Sequence, residues 1–510
     1  MKYTLFAAAA ALCLQVNSGE VIPKKAGVSF RFDDNHDVNT WKPMIEVFDR
    51  HGMKAGLSIN PGWLKQELAL FLKETQANGH EIMNHTPYHR YYVLRFPNES
   101  EAQKYAGKPG VDHVNGAVVC FTCIVPDKAP GGKKSLKADL YQDGRIKFEK
   151  NKILKPGSWS KPFYIKPYDK KFYLLDRKPD KDGYYQLYNL WREPVKNLKP
   201  ANQVTCVFIS TELKLTPEAF IIEGENAHKQ FAKWGIKQPG TWIHPGCGDP
   251  LVHAENIKKS YGDKYGYKSA AVYINKSAKT FNEYDPDGLR RFAMQWGNFR
   301  SEFQTLPRMQ TIIADSIACN RVAFDGSHMR GTEKLGGQKE YLKRMDALLT
   351  WLKANDIPVR TQSEWADILY SQKADPKCNV FPSFSVDLDK NDRPDGIFPS
   401  KDAGVIVLKD GAKALESKTA GVIFKIKKLG GLEKGDNKLS LRFEAGKNAR
   451  ITFDFTFDNG ARAQAVFTGN GEWQDVCQTI KVPKEASCAD VTVSNDTGSP
   501  MVLGDISLSK

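Results

Sequence analysis

The chain has 510 residues, room for two to four domains at about 100–200 residues each. Its 41% hydrophobic, 26% charged and 11% aromatic content is that of a globular protein, and it excludes wholesale disorder, a collagen-like repeat and a polytopic membrane protein. Lys and Arg outnumber Asp and Glu 74 to 59, a formal net charge of +15 spread along the chain without a basic arm; this disfavours nucleic acid and suits an acidic glycan or envelope surface.

Residues 1–18 read as a signal peptide: Met1-Lys2 opens it, Leu5 to Leu14 is its apolar core, and Val16-Asn17-Ser18 carries small residues at the cleavage spacing. No later stretch approaches the ~18 uninterrupted apolar residues of a membrane span. The expected location is therefore periplasmic or extracellular. With Cys13 lost, eight of the nine cysteines remain, an even number for an oxidising compartment. Cys477 and Cys488 lie close enough in sequence to suggest a bridge. Cys120-x-x-Cys123, with Cys206, suits disulfides or buried thiols better than zinc, because no second such pair exists.

Next, Val28-Ser29-Phe30-Arg31-Phe32 alternates as a strand and empties into Asp33-Asp34. Trp41 to Gly52 carries Met44, Val47 and Phe48 at helical spacing, Lys54 to Ile59 is a strand, Trp63 to Asn78 a second helix, and His80 to Asn84 a strand ending at His85. This βαβ rhythm calls for a parallel sheet or barrel. Between about 112 and 215 it gives way to β-branched and aromatic residues punctuated by Gly and Pro, an all-β insertion. It resumes with a helix from Thr216-Pro217 to Gly235, a strand at Gly240–Ile243, a long helix from Tyr341 to Asn355 and a last strand at Ile357–Arg360. Beyond Asp375-Pro376 come short alternating strands with a hairpin at Asn459-Gly460, expected as a β-sandwich over residues 376–510.

Two constellations can carry chemistry. Adjacent carboxylates, Asp33 and Asp34, repel at a strand end unless a cation lies between them. His85 and His89, four apart, would share one side of a helical turn, and two imidazoles with one carboxylate leave metal positions open for water and substrate. No Glu follows His85, so this is not the H-E-x-x-H site of a zinc protease.

In this order, Phe32-Asp33-Asp34-Asn35 and Gly79-His80-Glu81-Ile82-Met83-Asn84-His85-Thr86-Pro87-Tyr88-His89 resemble the first two motifs of the polysaccharide deacetylase family, carbohydrate esterase family 4, with its NodB-homology domain. The resemblance covers roughly residues 27–110 and 216–370. It implies an α/β fold: a distorted (β/α) barrel of NodB-homology type over residues 19–375, interrupted by the β insertion, ahead of the C-terminal β-sandwich. It further implies Asp33 as catalytic base, Asp34, His85 and His89 as ligands of a divalent metal (zinc foremost, cobalt or nickel as alternatives), and His328 as general acid. Trp242-Ile243-His244-Pro245-Gly246 is similar to the third motif and makes Trp242, His244, Pro245 and Gly246 substrate-binding candidates, but the Arg that steadies the base in the family is missing there. The acid that would flank His328 has no clear match, Asp315 being the one candidate, and Asn35 replaces a Gly while tolerating left-handed backbone.

The expected activity is metal-dependent removal of acetyl groups, N- or O-linked, from a polysaccharide. A glycan-binding protein on the same scaffold, or a hydrolase of other C–N bonds, are the alternatives. In the tail, Asp387, Asp389, Asn391 and Asp395 alternate as calcium ligands do, similar to loops that precede carbohydrate-binding sandwiches, with Asp392 where the sharp turn usually has Gly. A metal-free acidic linker is the competing reading.

Overall fold

The structure, a computed structural model, describes residues 26–89, 93–96, 109–111, 118–126, 135–149, 163–166, 171–174, 179–189, 194–208, 211–215, 217–245, 257–272, 293–296, 299–329, 333–371, 379–486 and 488–510. The expected signal peptide, Gly246, and the side chains of Cys120 and Cys123 lie outside this description. The chain forms two units: Met1–Thr86, Ala227–His244 and Ile257–Lys510 in the first, Pro87–Asn226 and Pro245–Asn256 in the second. No helix among the described residues is long and apolar enough to cross a membrane.

The first unit contains a seven-stranded sheet whose described pairings are all parallel. Its strand order is Ala293–Trp296, Ser269–Val272, Thr241–Ile243, Glu81–Asn84, Gly56–Ile59, Arg31–Asp33, Ser327–His328. The sheet is a half-barrel: among the described residues its end strands do not pair with each other. The first strand run breaks at Phe30, so that Gly27–Ser29 pairs with Val322–Phe324 while Arg31–Asp33 joins the main sheet. Asp37 caps the helix Val38–Arg50 by accepting from Thr40 N at 2.8 Å, and that backbone N–H holds the Asp37 carboxyl below its ordinary range. The helix buries Trp41, Met44, Val47 and Phe48, with Phe48 edge-on to Phe30 at 5.3 Å. The helix Gly337–Ala354 adds Met345, Leu348, Leu349 and Leu352 to this core. The strand expected at Ile357–Arg360 reduces to one bridge, Val28 to Val359.

The same unit ends in a sandwich of two five-stranded antiparallel sheets. One runs Ile397–Pro399, Gly421–Leu429, Ala489–Asn495, Arg450–Phe457, Arg462–Thr468. The other runs Ala403–Val407, Lys413–Ser417, Met501–Ser509, Gly435–Ala445, Trp473–Val482. Alternate residues, among them Phe424, Leu439, Phe443, Phe453 and Phe455, form its core. The expected hairpin is present, with Gly460 at φ 87 donating to Phe457 O. The suggested Cys477–Cys488 bridge is absent. Cys477 is exposed on one sheet, whereas Cys488 is buried beside the first residue of a strand in the other, its thiol pushed up to about 12 by burial.

In the second unit antiparallel pairing begins at Val93, ahead of the expected 112. Val93–Phe96 pairs with Thr211–Leu215 in a four-stranded sheet. The rest of the insertion is a closed six-stranded barrel, ordered Phe163–Lys166, Lys171–Leu174, Tyr185–Tyr188, Arg145–Phe148, Ser135–Leu140, Ala201–Phe208. Its core includes Leu140, Ile146, Phe148, Phe172, Leu187 and Cys206. Cys206 is a buried thiol pushed up to about 12 by desolvation, which makes it unreactive.

Candidate active site

A parallel register delivers the carboxyl ends of all its strands to one rim, where ligands bind in α/β sheets. His328 lies opposite Asp33, Asp33 opposite Ser58, and Ile59 opposite Asn84. Asp33 is the last residue of its strand and Asp34 takes φ 74, so the chain turns sharply between the two carboxylates. One faces inward with no exposed surface, while the other keeps a quarter of its side chain exposed. The left-handed residue is thus Asp34 and not Asn35. Asn35 instead makes a reciprocal pair with Asn60: its Nδ2 donates to Asn60 O and its Oδ1 accepts from Asn60 N, both at 2.9 Å.

No Arg stands in the third-motif stretch, but one stands beside Asp33 on its own strand. Arg31 and Asp33 are two apart and share one face of the pleat. Arg31 Nε stands 2.9 Å from Asp33 Oδ1 and its Nη2 donates to Oδ2 at 3.3 Å. Both side chains are buried, at 1% and 0% exposure, so each charge depends on the other. The alternation of Val28–Phe32, continued by one residue, already puts Arg31 and Asp33 on one face.

His85 follows its strand directly. Its Nδ1 lies 3.2 Å from the Ile243 carbonyl, an obligate acceptor, so the proton sits on Nδ1 and Nε2 faces Asp34 Oδ1 at 3.6 Å. Residues 85–89 form an irregular turn, with Thr86 at φ 63 and His89 at φ 50, where a helical turn was expected. Asn60 Nδ2 holds this turn by donating to His85 O at 2.6 Å and Thr86 O at 3.0 Å, and Thr86 N donates to Asn84 Oδ1. Asp34, His85 and His89 nevertheless bring ligand atoms within 4.8 Å of one another. A carboxylate and two imidazoles, one with its tautomer fixed from behind, fit a divalent transition metal.

His328 also reaches Asp34, Nε2 to Oδ2 at 3.4 Å. Its Nδ1 lies 3.2 Å from Oε1 of Glu302, a carboxylate only 2% exposed that pairs with Arg300. Arg300 Nη2 is also 2.8 Å from Nδ1. The neutral ring can accept from Arg300, whereas the imidazolium donates to Glu302 and keeps its second proton on Nε2. Glu302 is thus the carboxylate that the structure sets beside His328. Asp315 lies elsewhere and receives a bidentate contact from Arg393 at 2.8 and 2.9 Å. Nothing in the local sequence around Glu302, 26 residues before His328, marks it as its partner.

Residues 21–108 match the family model for polysaccharide deacetylases. No curated protein matches the chain. Among solved structures, similarity is found to TmCBM61 in complex with β-1,4-galactotriose (16% identity, 22% of this chain and 86% of that one, TM-score 0.19). It is also found to CsCBM6-3 from Clostridium stercorarium with cellobiose (16% identity, 23% and 87%, TM-score 0.18), and to the C-terminal CBM6 of LamC, a marine laminarinase from Zobellia galactanivorans (14% identity, 22% and 90%, TM-score 0.19).

The remaining positions of the deacetylase-like motifs serve the scaffold. His80 accepts from Ala55 N at Nδ1 and meets Asp49 at Nε2, and burial lowers its pKa. Glu81, at the opposite end of its strand from the rim, ties Thr241 to Ser363, and burial raises its pKa. Trp242 has 0% exposure and packs edge-on against His244 and tilted against Tyr261, so it supports the rim from below and offers no surface to a substrate. His244 and Pro245 are buried as well. In the tail loop, Asp387, Asp389 and Asp395 form a second acidic cluster, whereas Asn391 turns its Oδ1 to Arg393 N and its Nδ2 to Asp389. Asp392 takes the left-handed turn, φ 64, where Gly is usual.

Proposed function

We propose that the chain is a divalent-metal-dependent hydrolase that removes acetyl groups, N- or O-linked, from a polysaccharide. The observation that carries this reading is the convergence of Asp34, His85 and His89 beside an Asp33 locked to Arg31. Asp34, His85 and His89 would hold the ion, zinc being the best fit to two imidazoles and one carboxylate. Such an ion, when bound, supplies a water of lowered pKa and positive charge for the developing oxyanion.

The chain's own groups do the proton work. Asp33 takes a proton from the attacking water as its oxygen bonds to the acetyl carbon. Its burial means that only water already inside the rim can reach it. As the bond from acetyl carbon to sugar nitrogen or oxygen breaks, His328 gives its Nε2 proton to the departing atom, while Glu302 accepts from Nδ1 and stabilises the imidazolium beforehand. Acetate and a free amine or hydroxyl leave.

On the same reading residues 1–18 are a signal peptide, 19–375 the hydrolase with its β insertion, and 376–510 a glycan-binding sandwich. A surface cavity of about 550 Å³ on the sandwich is lined by Asp454, Thr456, Arg462, Gln464 and Thr492, polar side chains suited to sugar hydroxyls. The net positive charge favours an acidic polymer. The test is metal analysis of the purified chain together with acetate release from a panel of N- and O-acetylated glycans. Metal-dependent acetate release supports the proposal. Binding without turnover, or release of an amine without acetate, replaces it with a glycan-binding protein or a different C–N hydrolase.

A further inference from the structure

The tail loop 387–396 presents a second collection of donors, remote in sequence from the rim and used by nothing in the proposed chemistry. Asp387, Asp389 and Asp395 place carboxylate oxygens within 4.8 Å of one another. Three like charges at that spacing repel strongly unless protonated or neutralised. Of the loop's two cations, Arg393 is spent on Asp315, and Lys390 makes no ion pair with the three carboxylates among the described residues.

Asp395 supplies the independent observation. Its side chain is completely buried, its Oδ2 accepts from Leu388 N at 2.8 Å, and its Oδ1 is also buried yet accepts from no described group. A buried carboxylate oxygen left without a donor is costly. The donors are all hard oxygens. Hard oxygens supplied wholly by the chain suit Ca²⁺, whereas Mg²⁺ dehydrates reluctantly and is seldom held by an all-protein cage.

We infer that Asp387, Asp389 and Asp395 bind Ca²⁺, and that the ion clamps the β-sandwich onto the helix Leu306–Ala318 of the half-barrel. The loop that would wrap the ion is the one that docks. Besides the Arg393 pair, Gly396 N donates to Asp315 Oδ1 at 2.7 Å. Gly396 is also tightly fitted: at φ +75, a Cβ there would stand 2.9 Å from Cys319 Sγ. Fixing 387–396 therefore fixes the helix contacts, and releasing it frees both sides.

The test uses the full chain, stripped with EDTA and reloaded at the rim with zinc. Adding CaCl₂ should raise the melting temperature by about 3 °C or more, as expected for a ligand that binds only the folded state. MgCl₂ at the same concentration should not. Equilibrium dialysis with ⁴⁵Ca should give one site per chain, and Asp395→Asn should lose both responses while keeping its zinc content. Hydrogen exchange should slow on calcium addition in 387–396 and in 306–320 together. Absence of ⁴⁵Ca binding to the parent overturns the site even if a variant misfolds, and so does a thermal response that survives in both Asp395→Asn and Asp389→Asn. Protection confined to 387–396 overturns the clamp.

Discussion

Removing the Arg31 guanidinium tests the site where fold and chemistry meet. In Arg31→Met the long side chain keeps most of its volume, but Asp33 remains buried with no countercharge. At about 4 Å between charge centres and an effective dielectric of about 20, the lost attraction is about 4 kcal/mol. Breaking one side of a buried pair costs about 3–5 kcal/mol, while removing both charges together is often nearly neutral. The single variant should therefore lose about 3–5 kcal/mol in urea unfolding at pH 7. The double variant Arg31→Met, Asp33→Asn should recover most of that loss, because its amide needs hydrogen bonds but no ion. Activity adds a readout that a purely structural arginine would not move. A buried carboxylate without a partner is driven to take up a proton, and a protonated Asp33 cannot act as a base. Acetate release by Arg31→Met should accordingly fall at pH 7 and recover as pH rises, whereas Asp33→Asn should stay equally impaired at every pH. A single variant that loses under about 1 kcal/mol, or a double variant as unstable as the single, would refute the pairing argument. Loss of turnover that no pH restores would refute the positioning role.

The other expectations are simpler to measure. His89→Ala should lose most of its bound metal by elemental analysis and all acetate release, since the cluster then keeps two donors of three. Asp33→Asn should retain metal while turnover falls about 10²–10⁴-fold, the usual worth of general-base assistance. Glu302→Gln should lower kcat by roughly 10–100-fold with little change in KM, and more on acetamides than on activated esters, because His328 loses the acceptor behind its imidazolium. Asp325, buried beneath the rim with Ser301 and Ser327, is pushed up from 3.8 to about 7 by desolvation, so the folded chain keeps a proton there that the unfolded chain gives up. Its contribution to stability is complete below pH 3.8 and lost as pH rises through about 7; Asp325→Asn should flatten the decline in melting temperature across that window.

The sequence was most legible where side-chain identity and local period act together. The βαβ rhythm of 28–85 reflects apolar residues that only a parallel sheet with covering helices can bury, and the tail's alternation announces two packed sheets in the same way. Asp33, Asp34, His85 and His89 stand out because carboxylates and imidazoles at strand ends have few structural uses. What sequence could not convey depends on long-range closure. Glu302 and His328 meet through the convergence of a short 3-10 turn, Ser301–Phe303, and the edge strand Ser327–His328. The left-handed turns at Asp34 and Thr86 lie beside hydrogen bonds from Asn35 to Asn60 and from Asn60 to His85 and Thr86, which form only once those strands are adjacent. Cys477 and Cys488 look like a pair by separation, yet eleven residues suffice to carry a chain from one sheet of a sandwich to the other.

An arginine on the same strand as Asp33 makes the orientation of that carboxylate a property of one strand. An arginine carried on a different strand would steady Asp33 only while the two strands kept their places. Two residues along one strand are held on the same face by the pleat itself, about 6.6 Å apart from Cα to Cα, and Arg31 is further clasped between strands Gly56–Ile59 and Ser327–His328. The orientation of Asp33 then depends on the sheet register alone. The cost is a guanidinium buried at 1% exposure in the middle of the sheet, tolerable only because its carboxylate partner is always present. Substituting His244, which follows the strand Thr241–Ile243, should therefore leave the Arg31–Asp33 coupling intact. A double-mutant cycle for that pair repeated on a His244→Ala background decides the point: an unchanged coupling energy supports it, and a collapsed one would show that the end of that strand still governs the carboxylate.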